Sequence, residues 1–477
     1  MAESSRHFRR IHERLYNTLT SWRQNAGIVG EESMTRLSLI VLLILCNPTA
    51  VFAESPVGWR SDASGRYPDV TPPTRWSQQE NVVWKTEMPG KSFGSPVVFG
   101  DKVFVVSDPD ELLCVAANDG KVLWRRANSA RESIGPDRAK EMLDHWNSLN
   151  ERKKVLQKQF NELRKAKPDA KTEHGKLRDK LNAIEKEVGE TRRSNPVPGN
   201  RGSGNTAATP ICDGRYVYTV FGSGIVAAYD MNGERQWIKF VGGTTLGFGH
   251  GSSPVLIDRR LIVHFHDLVA LEADTGEIVW RTELRARHAT SIAVRLGTTA
   301  AIVSPSGNFV RVSDGTILTT DKALEVSEGS PIVDNGVLYA QSGKTTAFRL
   351  PTDGNATELE SLWQTNSSRG RRTPSPVVHD GLLYGVTTNG ILEVLDAQTG
   401  DVAYRKRLDI GNFYSSITAA GDYIYLTSTK GVTIVLDAGR EYREIENNQL
   451  ESIGSNPVFV GKRLYLRGHK HLYCIGE

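Results

Sequence analysis

LEADTGEIVW, at Leu271–Trp280, is the stretch of sequence that decides the fold. An apolar strand runs into a polar turn, and a second strand leaves the turn and ends in tryptophan. Gly276 supplies the positive φ that such a turn requires, and Trp280 is large enough to wedge against a neighbouring repeat. A second copy of the turn, LDAQTG, lies at Leu395–Gly400. The motif therefore predicts repeated antiparallel strands joined by tight turns.

Aromatic residues recur at a regular spacing on both sides of this motif. Trp84 and Trp124 are 40 residues apart, and Trp237 and Trp280 are 43 apart. The interval from Trp124 to Trp237 is 113 residues, which is one repeat plus an insertion of about seventy. A period near forty residues with four short strands is typical of propeller blades.

Each repeat also begins in the same way, with small polar residues followed by proline and an apolar strand. The clearest examples are Gly94–Val98, Ser252–Val255, Gly329–Val333, Pro374–Val378 and Ser455–Val458. A polar turn and a β-rich strand follow, as at Tyr216–Val220. This order predicts that every repeat opens with the first strand of a blade.

Eight copies of the repeat can be counted. They start near Gly94, Thr206, Ser252, Ser291, Ser330, Ser375, Ser415 and Ser455. The eighth copy has only three strands, and we expect Asn81–Trp84 to supply its fourth strand, which would remove an open sheet edge. The sequence thus predicts an all-β, eight-bladed β-propeller with tryptophan-docking-type repeats. Seven or nine blades stay open on the repeat count alone.

Residues 129–200 interrupt the repeat with a different periodicity. Met142, Leu149, Leu156 and Leu163 are spaced by seven, and a second apolar series follows at 177–188. This pattern predicts an inserted α-helical hairpin with a coiled-coil-like seam. Because the insertion joins a fourth strand to the next first strand, it should rise from the face that carries the turns between second and third strands. A self-packed ornament and a partner-docking arm both fit this pattern.

The N-terminal region contains an apolar run, Leu37–Phe52, that follows Arg36. Its 16 residues are short for a membrane span and typical of a secretory signal. We therefore expect an exported protein, periplasmic or associated with the cell envelope. Cleavage or retention of the signal, and Met1 or Met34 as the true start, stay open.

The predicted organisation has four parts: 1–53 is an N-terminal extension with the signal peptide, 54–128 holds the closing strand and first blade, 129–204 is the inserted hairpin, and 205–477 forms the remaining blades.

Composition excludes several classes of function. The net charge of +4 is small for 477 residues, and no basic stripe with interleaved aromatics predicts nucleic-acid binding. Cys114, Cys212 and Cys474 follow the signal region without a CxxC spacing, so no disulfide framework, zinc site or haem attachment is predicted. Two His-x-His pairs, at 264–266 and 469–471, lack a third ligand at a clear spacing, and we predict no metal site.

The ADTGEIVW motif resembles the pyrroloquinoline-quinone-type (PQQ-like) repeat of quinoprotein alcohol dehydrogenases and of the BamB-like proteins of outer-membrane assembly. The lead-in from Gly58–Arg60 through Trp76 and Trp84 resembles exported members of the BamB-like branch. The resemblance covers roughly 58–128 and 201–477. It is specific for the fold and informs less about function, since one fold hosts many functions.

The resemblance implies an exported, monomeric scaffold that binds a protein or a ligand without catalysis. The main alternative is a quinone (PQQ)-dependent or other oxidoreductase, and a hydrolase or lyase acting on carbohydrate is a third, by analogy of fold alone. Active PQQ-dependent dehydrogenases would need a vicinal disulfide over the cofactor and a calcium site of Glu, Asn and Asp. No adjacent cysteines are present, and Glu328 and Asn456 are isolated residues near first-strand starts. We therefore predict no catalytic residues and no bound PQQ or calcium.

Cationic and histidine side chains cluster in the segments that lead into first strands, which should cross the mouth of the central funnel. We predict a ligand-binding set there of His250, Arg285, Arg287, His288, Arg369, Arg371 and Arg372, with Lys91 and Arg201 nearby. A funnel lined by one sign of charge attracts the opposite sign, and arginine pairs well with carboxylates. An anionic ligand or an acidic protein segment is the hypothesis, and solvated loop charges are the alternative.

Overall fold

The computed structural model describes residues 55–198, 202, 204–244, 246–354 and 358–476. The signal-peptide and start-site predictions therefore lie outside the described residues. Within these ranges, none of the three helices has an apolar stretch of the length that spanning a bilayer requires.

Eight sheets account for most of the described chain, and each contains four antiparallel strands. The first four sheets are β3–β6 (Val97–Phe99, Lys102–Ser107, Glu111–Ala116, Val122–Ala127), β7–β10 (Ile211–Cys212, Tyr216–Val220, Ile225–Asp230, Arg235–Phe240), β11–β14 (Val255–Ile257, Arg260–His264, Leu268–Glu272, Ile278–Thr282) and β15–β18 (Ile292–Leu296, Thr299–Val303, Asn308–Arg311, Ile317–Thr320). The next are β19–β22 (Ile332–Asp334, Val337–Gln341, Lys344–Arg349, Glu360–Asn366), β23–β26 (Val377–His379, Leu382–Val386, Ile391–Asp396, Val402–Arg407) and β27–β30 (Thr418–Ala420, Tyr423–Thr427, Val432–Asp437, Glu444–Gln449). This architecture confirms the predicted β-propeller fold.

The last sheet is completed by the N-terminal part of the chain. Strands β31–β33 (Val458–Val460, Arg463–Arg467, His471–Ile475) receive β2 (Val82–Glu87) as their fourth strand, antiparallel to β33. A further short strand, β1 (Arg66–Tyr67), pairs in parallel with β27. The predicted closing strand is therefore present, and it joins residues that are almost 400 positions apart in the sequence.

A closed ring of hydrogen bonds links the first strands of the eight sheets around the central axis. At each step a backbone N–H donates to a side-chain oxygen of the next sheet, over 2.6–3.0 Å. The members of this axial ring are Ser95, Thr209, Ser253, Thr290, Ser330, Ser375, Ser416 and Asn456, and the last N–H returns to Ser95. Six of the eight precede proline, which holds the preceding residue in an extended conformation.

Tryptophans at the ends of fourth strands dock on the following sheet at the outer side of the propeller. The indole N–H of Trp237 donates to the carbonyl of Ala273 over 2.9 Å, and its ring covers Gly276. The same arrangement joins Trp280 to Val312 and Gly315, and Trp363 to Ala397 and Gly400. The glycine is required twice over, because its φ is positive and because a Cβ at Gly276 would lie 2.6 Å from the indole.

The insertion forms the predicted helical hairpin. A short helix α1 (Ala130–Ile134) precedes α2 (Pro136–Ala166) and α3 (Lys171–Ser194). Helix α2 buries Met142 and Leu149 of the predicted seam, together with Trp146 and Phe160, whereas Leu156 and Leu163 are half-buried. Ion pairs from Arg152 and Lys153 on α2 to α3, at 3.6 and 2.9 Å, join the two helices away from the propeller.

Replacing Gly276 with alanine tests the docking contact. We expect Gly276→Ala to lower the free energy of unfolding by roughly 2–4 kcal/mol, from left-handed backbone strain plus displacement of Trp237. Gly336→Ala is the matched control, since its φ of +76° is similar and no atom lies within 4 Å of the added Cβ. Urea unfolding of both variants measures the difference, and equal losses would contradict the docking role.

Candidate functional site: the axial cavity

A cavity of about 310 Å³ lies on the propeller axis. Seven of the eight axial-ring residues line it, all except Ser253. Its mouth is formed by residues of the first-strand lead-ins, which include Phe93, Phe248, His288, Glu328, Arg371 and Tyr414. Phe248 is 64% exposed and Tyr414 is 40% exposed, so the mouth presents aromatic surface to solvent.

The segment Val57–Tyr67, which we call the axial strap, crosses the axis beneath the ring. It pairs with Cys212 through Val57 at one side, and β1 pairs with β27 at the other. Trp59 of the strap lines the cavity. Next to it, Arg60 is 1% exposed and donates from Nη2 to the carbonyls of Pro376 and Ile417, both over 2.7 Å. The strap thus supplies a floor to the cavity.

A carboxylate–guanidinium pair stands in the wall of the cavity. Arg371 Nε donates to both oxygens of Glu328, over 2.7 and 2.6 Å, and Thr373 Oγ1 donates to the same carboxylate over 2.7 Å. The bond to Glu328 raises the pKa of Arg371 above its ordinary value. The Arg371 guanidinium also lies 5.8 Å from the ring centre of Phe248. The charge of Arg371 in the cavity wall is therefore already balanced by Glu328.

The seven predicted ligand-binding residues do not form one cluster. His288 and Arg371 line the cavity, whereas Arg287 is ion-paired with Glu325. Arg285 and Arg369 are exposed outside the cavity lining, and His250 and Arg372 are buried. Arg201 lies outside the described residues. The predicted positive lining is thus reduced at the mouth itself to one half-buried histidine and one paired arginine.

Arg372 belongs to a buried ionic cluster behind the mouth. Its Nη2 donates to Glu393 over 2.8 Å, and Glu393 is fully buried. Arg405 and the hydroxyl of Ser368 bind the same carboxylate, each over 2.8 Å. Burial lowers the pKa of Arg372, and Glu393 opposes that shift. The cluster ties the lead-in Ser368–Arg372 to β25, which is a structural role.

Substitution of Glu393 tests this role. Glu393→Gln leaves the buried Arg372 charge without its counter-ion, so we expect the free energy of unfolding to fall by about 3–5 kcal/mol. Glu360→Gln is a control, because the Glu360–Arg349 pair is exposed on both sides and such pairs contribute about 0–1 kcal/mol. Chemical denaturation of both variants gives the comparison, and a stability close to that of the unmodified protein would argue against a structural role.

Two buried histidines lie behind the mouth on the third sheet. His250 stacks on Phe265 with ring centres 4.2 Å apart, and burial lowers its pKa to about 3. His264 contacts the carbonyl of Leu284 over 3.3 Å, and burial lowers its pKa to about 4. Both rings are therefore neutral at neutral pH, so His250 adds no positive charge to the predicted set.

These depressed pKa values predict acid sensitivity of the fold. In the unfolded chain both histidines bind protons below about pH 6.5, whereas the folded state resists protonation until about pH 4 or 3. The stabilisation is complete above pH 6.5 and is lost as the pH falls toward those values. We expect urea midpoints to drop between pH 7 and 5, and His250→Phe to make that drop smaller. An unchanged pH slope in the variant would contradict this account.

The residues around the axis do not fit the PQQ and calcium site of active quinoproteins. Both oxygens of Glu328 accept hydrogen bonds from Arg371, and the side-chain oxygen of Asn456 accepts the backbone N–H of Ser416. Among the described residues, no three His, Cys, Asp or Glu side chains converge as metal ligands. Cys114, Cys212 and Cys474 are separate buried thiols. We therefore derive no reaction step through such a cofactor.

Sequence reasoning missed two parts of the site, the axial ring and the strap floor. The small polar residue before proline was visible in the repeats, but its partner lies about forty residues away in the next repeat. Trp59 and Arg60 were visible only as part of a lead-in, and nothing local indicates that they return to the axis. A recurring Ser, Thr or Asn at one position of every copy was the signal available.

The sequence profile of the family described as outer membrane protein assembly factor BamB matches residues 75–143 and 264–476, more than half of the chain. A BamB from Legionella pneumophila is 24% identical over 207 residues, which are 40% of this chain and 52% of the relative. Across the curated BamB relatives, the chain spans between about a third and three fifths of their length.

Solved structures agree on the fold. The crystal structure of BamB from Moraxella catarrhalis superposes with a TM-score of 0.54 at 13% identity, covering 83% of this chain and 99% of that one. A europium-containing methanol dehydrogenase gives 0.56 at 11% identity, covering 88% and 98%. At identities this low, the solved structures establish only the fold, whereas the match to the sequence profile establishes the family. The chain belongs to the BamB-like family of PQQ-repeat propellers.

Proposed function

We propose that this protein is a scaffold of the cell envelope that holds a protein partner on the face bearing the cavity mouth and the helical hairpin. Membership of the BamB-like family supports a role in protein binding, since its relatives are named as outer membrane protein assembly factors. The same relatives support the predicted envelope location. We further propose that the partner binds on this face and that the protein acts as a monomer.

The position of the hairpin supports the choice of face. The backbone N–H of Gly243, which follows β10, donates to the carbonyl of Arg192 at the end of α3. Gly202, from the return segment, lines the cavity and lies close to the Phe248 backbone. The base of the hairpin therefore stands beside the mouth, and one partner could contact both.

The charge of the distal hairpin is the observation that carries the proposal. Residues 151–180 contain eleven Lys and Arg but only five Asp and Glu, whereas the whole chain has a net charge of only +4. Helix α2 alone is about 46 Å long at 1.5 Å per residue. Side chains such as Lys154 and Lys158 are 77% exposed. A long arm with concentrated positive charge suits a partner with an acidic surface.

Charge reversal on the arm tests the proposal. We expect Lys154→Glu, Lys158→Glu and Lys165→Glu together to abolish photo-crosslinks from the arm to one envelope protein in the source cells, identified by mass spectrometry. The melting temperature should stay unchanged, because these side chains are exposed. Reversal of Lys85, Lys121 and Lys239, exposed lysines of three different sheets, is the control for net charge. Persistence of the crosslink in the arm variant would count against the docking role.

A further inference from the structure

The axial ring directs unused hydrogen-bond donors toward the cavity. Each ring hydroxyl accepts one backbone N–H, over 2.8–3.0 Å. A hydroxyl also carries a hydrogen to donate, and no acceptor for it is found for any of the seven ring hydroxyls within the described ranges. Six of these hydroxyl residues, and Asn456 with its amide N–H groups, line the cavity. The ring is therefore a converging set of donors.

Arg60 places a buried positive charge, without a hydrogen-bonded carboxylate, beneath these donors. Its two acceptors, the carbonyls of Pro376 and Ile417, belong to the residues that directly follow Ser375 and Ser416 of the ring. Its Nε and Nη1 atoms are buried without a hydrogen-bond partner in the described part of the chain. The carboxylate that acts on it electrostatically is that of Asp62, which is exposed to solvent and makes no hydrogen bond to the guanidinium within the described ranges. Burial lowers the pKa of Arg60 to about 10, so the group is still protonated at neutral pH.

The other charges of the cavity cancel. Glu328 and Arg371 neutralise each other through one N–H, Arg371 Nε, that both carboxylate oxygens share. His288 is half-buried, and burial lowers its pKa below the ordinary value, which leaves it neutral at pH 7. The positive charge of Arg60 then lies behind the floor of the cavity, next to the lining residue Trp59 and on the carbonyls that follow Ser375 and Ser416. A buried cation without a counter-ion is costly, and an anion bound above it would offset that cost.

We propose that the axial cavity binds a small organic oxyanion, a carboxylate or phosphate group carried on a body that fits within about 310 Å³. The ring hydroxyls hold the oxygen atoms, and Arg60 balances the charge. Trp59 at the floor and Phe93 and Tyr414 at the mouth contact the rest of the ligand. Anion binding uses side chains inside the cavity and partner binding uses exposed lysines of the helical hairpin, so either proposal can fail alone.

Calorimetric titration of the purified protein tests the site directly. The probes are glutarate for the carboxylate and glycerol phosphate for the phosphate, with glutaramide and glycerol as their neutral counterparts. We expect saturable binding of at least one anion at one site per chain, at least roughly tenfold tighter than its neutral counterpart. Binding of glutarate would identify the group as a carboxylate, and binding of glycerol phosphate would identify it as a phosphate. Equal or absent binding of anions and neutral compounds overturns the proposal.

A substitution in the axial ring tests whether the anion binds in the axial cavity. Ser330→Ala removes one donor and should weaken the anion roughly tenfold, whereas Ser428→Ala, a buried serine outside the cavity, should leave binding unchanged. Melting temperatures establish that both variants are folded. A folded Ser330→Ala that binds the anion as tightly as the unmodified protein contradicts the site. If Ser330→Ala does not fold, Tyr414→Ala at the mouth replaces it, with the same expected direction and the same contradicting result.

Discussion

The ring of hydrogen bonds around the axis is the constraint on which the rest of this structure depends. Every first strand must bring a backbone N–H within about 3 Å of a hydroxyl or amide oxygen of the next sheet. Buried backbone groups need such partners, and the first strands, which are only two to five residues long, offer few others at that point. The ring therefore sets the spacing of the sheets at the axis, and the tryptophans set it at the outer side.

Most of the fold could be predicted from local sequence, because a blade is built from neighbouring residues. The Asp-x-x-x-Gly turn, as at Asp396–Gly400, the terminal tryptophan and the proline before six of the eight first strands are short-range patterns, and the seven-residue spacing in the insertion is another. Closure by β2 was predictable because the last copy lacks a strand. The path of the axial strap was not, since Trp59 and Arg60 meet residues more than 300 positions later.

The site was harder to predict than the fold because charge in a sequence says nothing about its neutralisation. Arg287, Arg371 and Arg372 looked equivalent as lead-in cations, yet each has its own carboxylate, respectively Glu325, Glu328 and Glu393. Arg60, which forms no such ion pair, appeared in the sequence only as part of a lead-in. Glu325 and Glu328 come from the segment before a neighbouring sheet and Glu393 from a later strand of the same sheet, and only the folded ring decides which arginine is left without an ion pair.

The positions of the strap and of β2 also bear on the order of events during synthesis. Residues 57–87 emerge early, but their partners, from Cys212 to Ile475, emerge much later. The early sheets can form their own hairpins before the later partners of this segment have been synthesised. Until then Trp76 and Trp84 are exposed, because Tyr425 and Cys474, which they contact in the folded protein, are not yet present. The second and seventh sheets give the strap its partners, and only the final sheet gives β2 a place. The ring is thus closed by an N-terminal strand at the end of folding, which makes the delay between synthesis and closure the period in which the protein is most open to degradation.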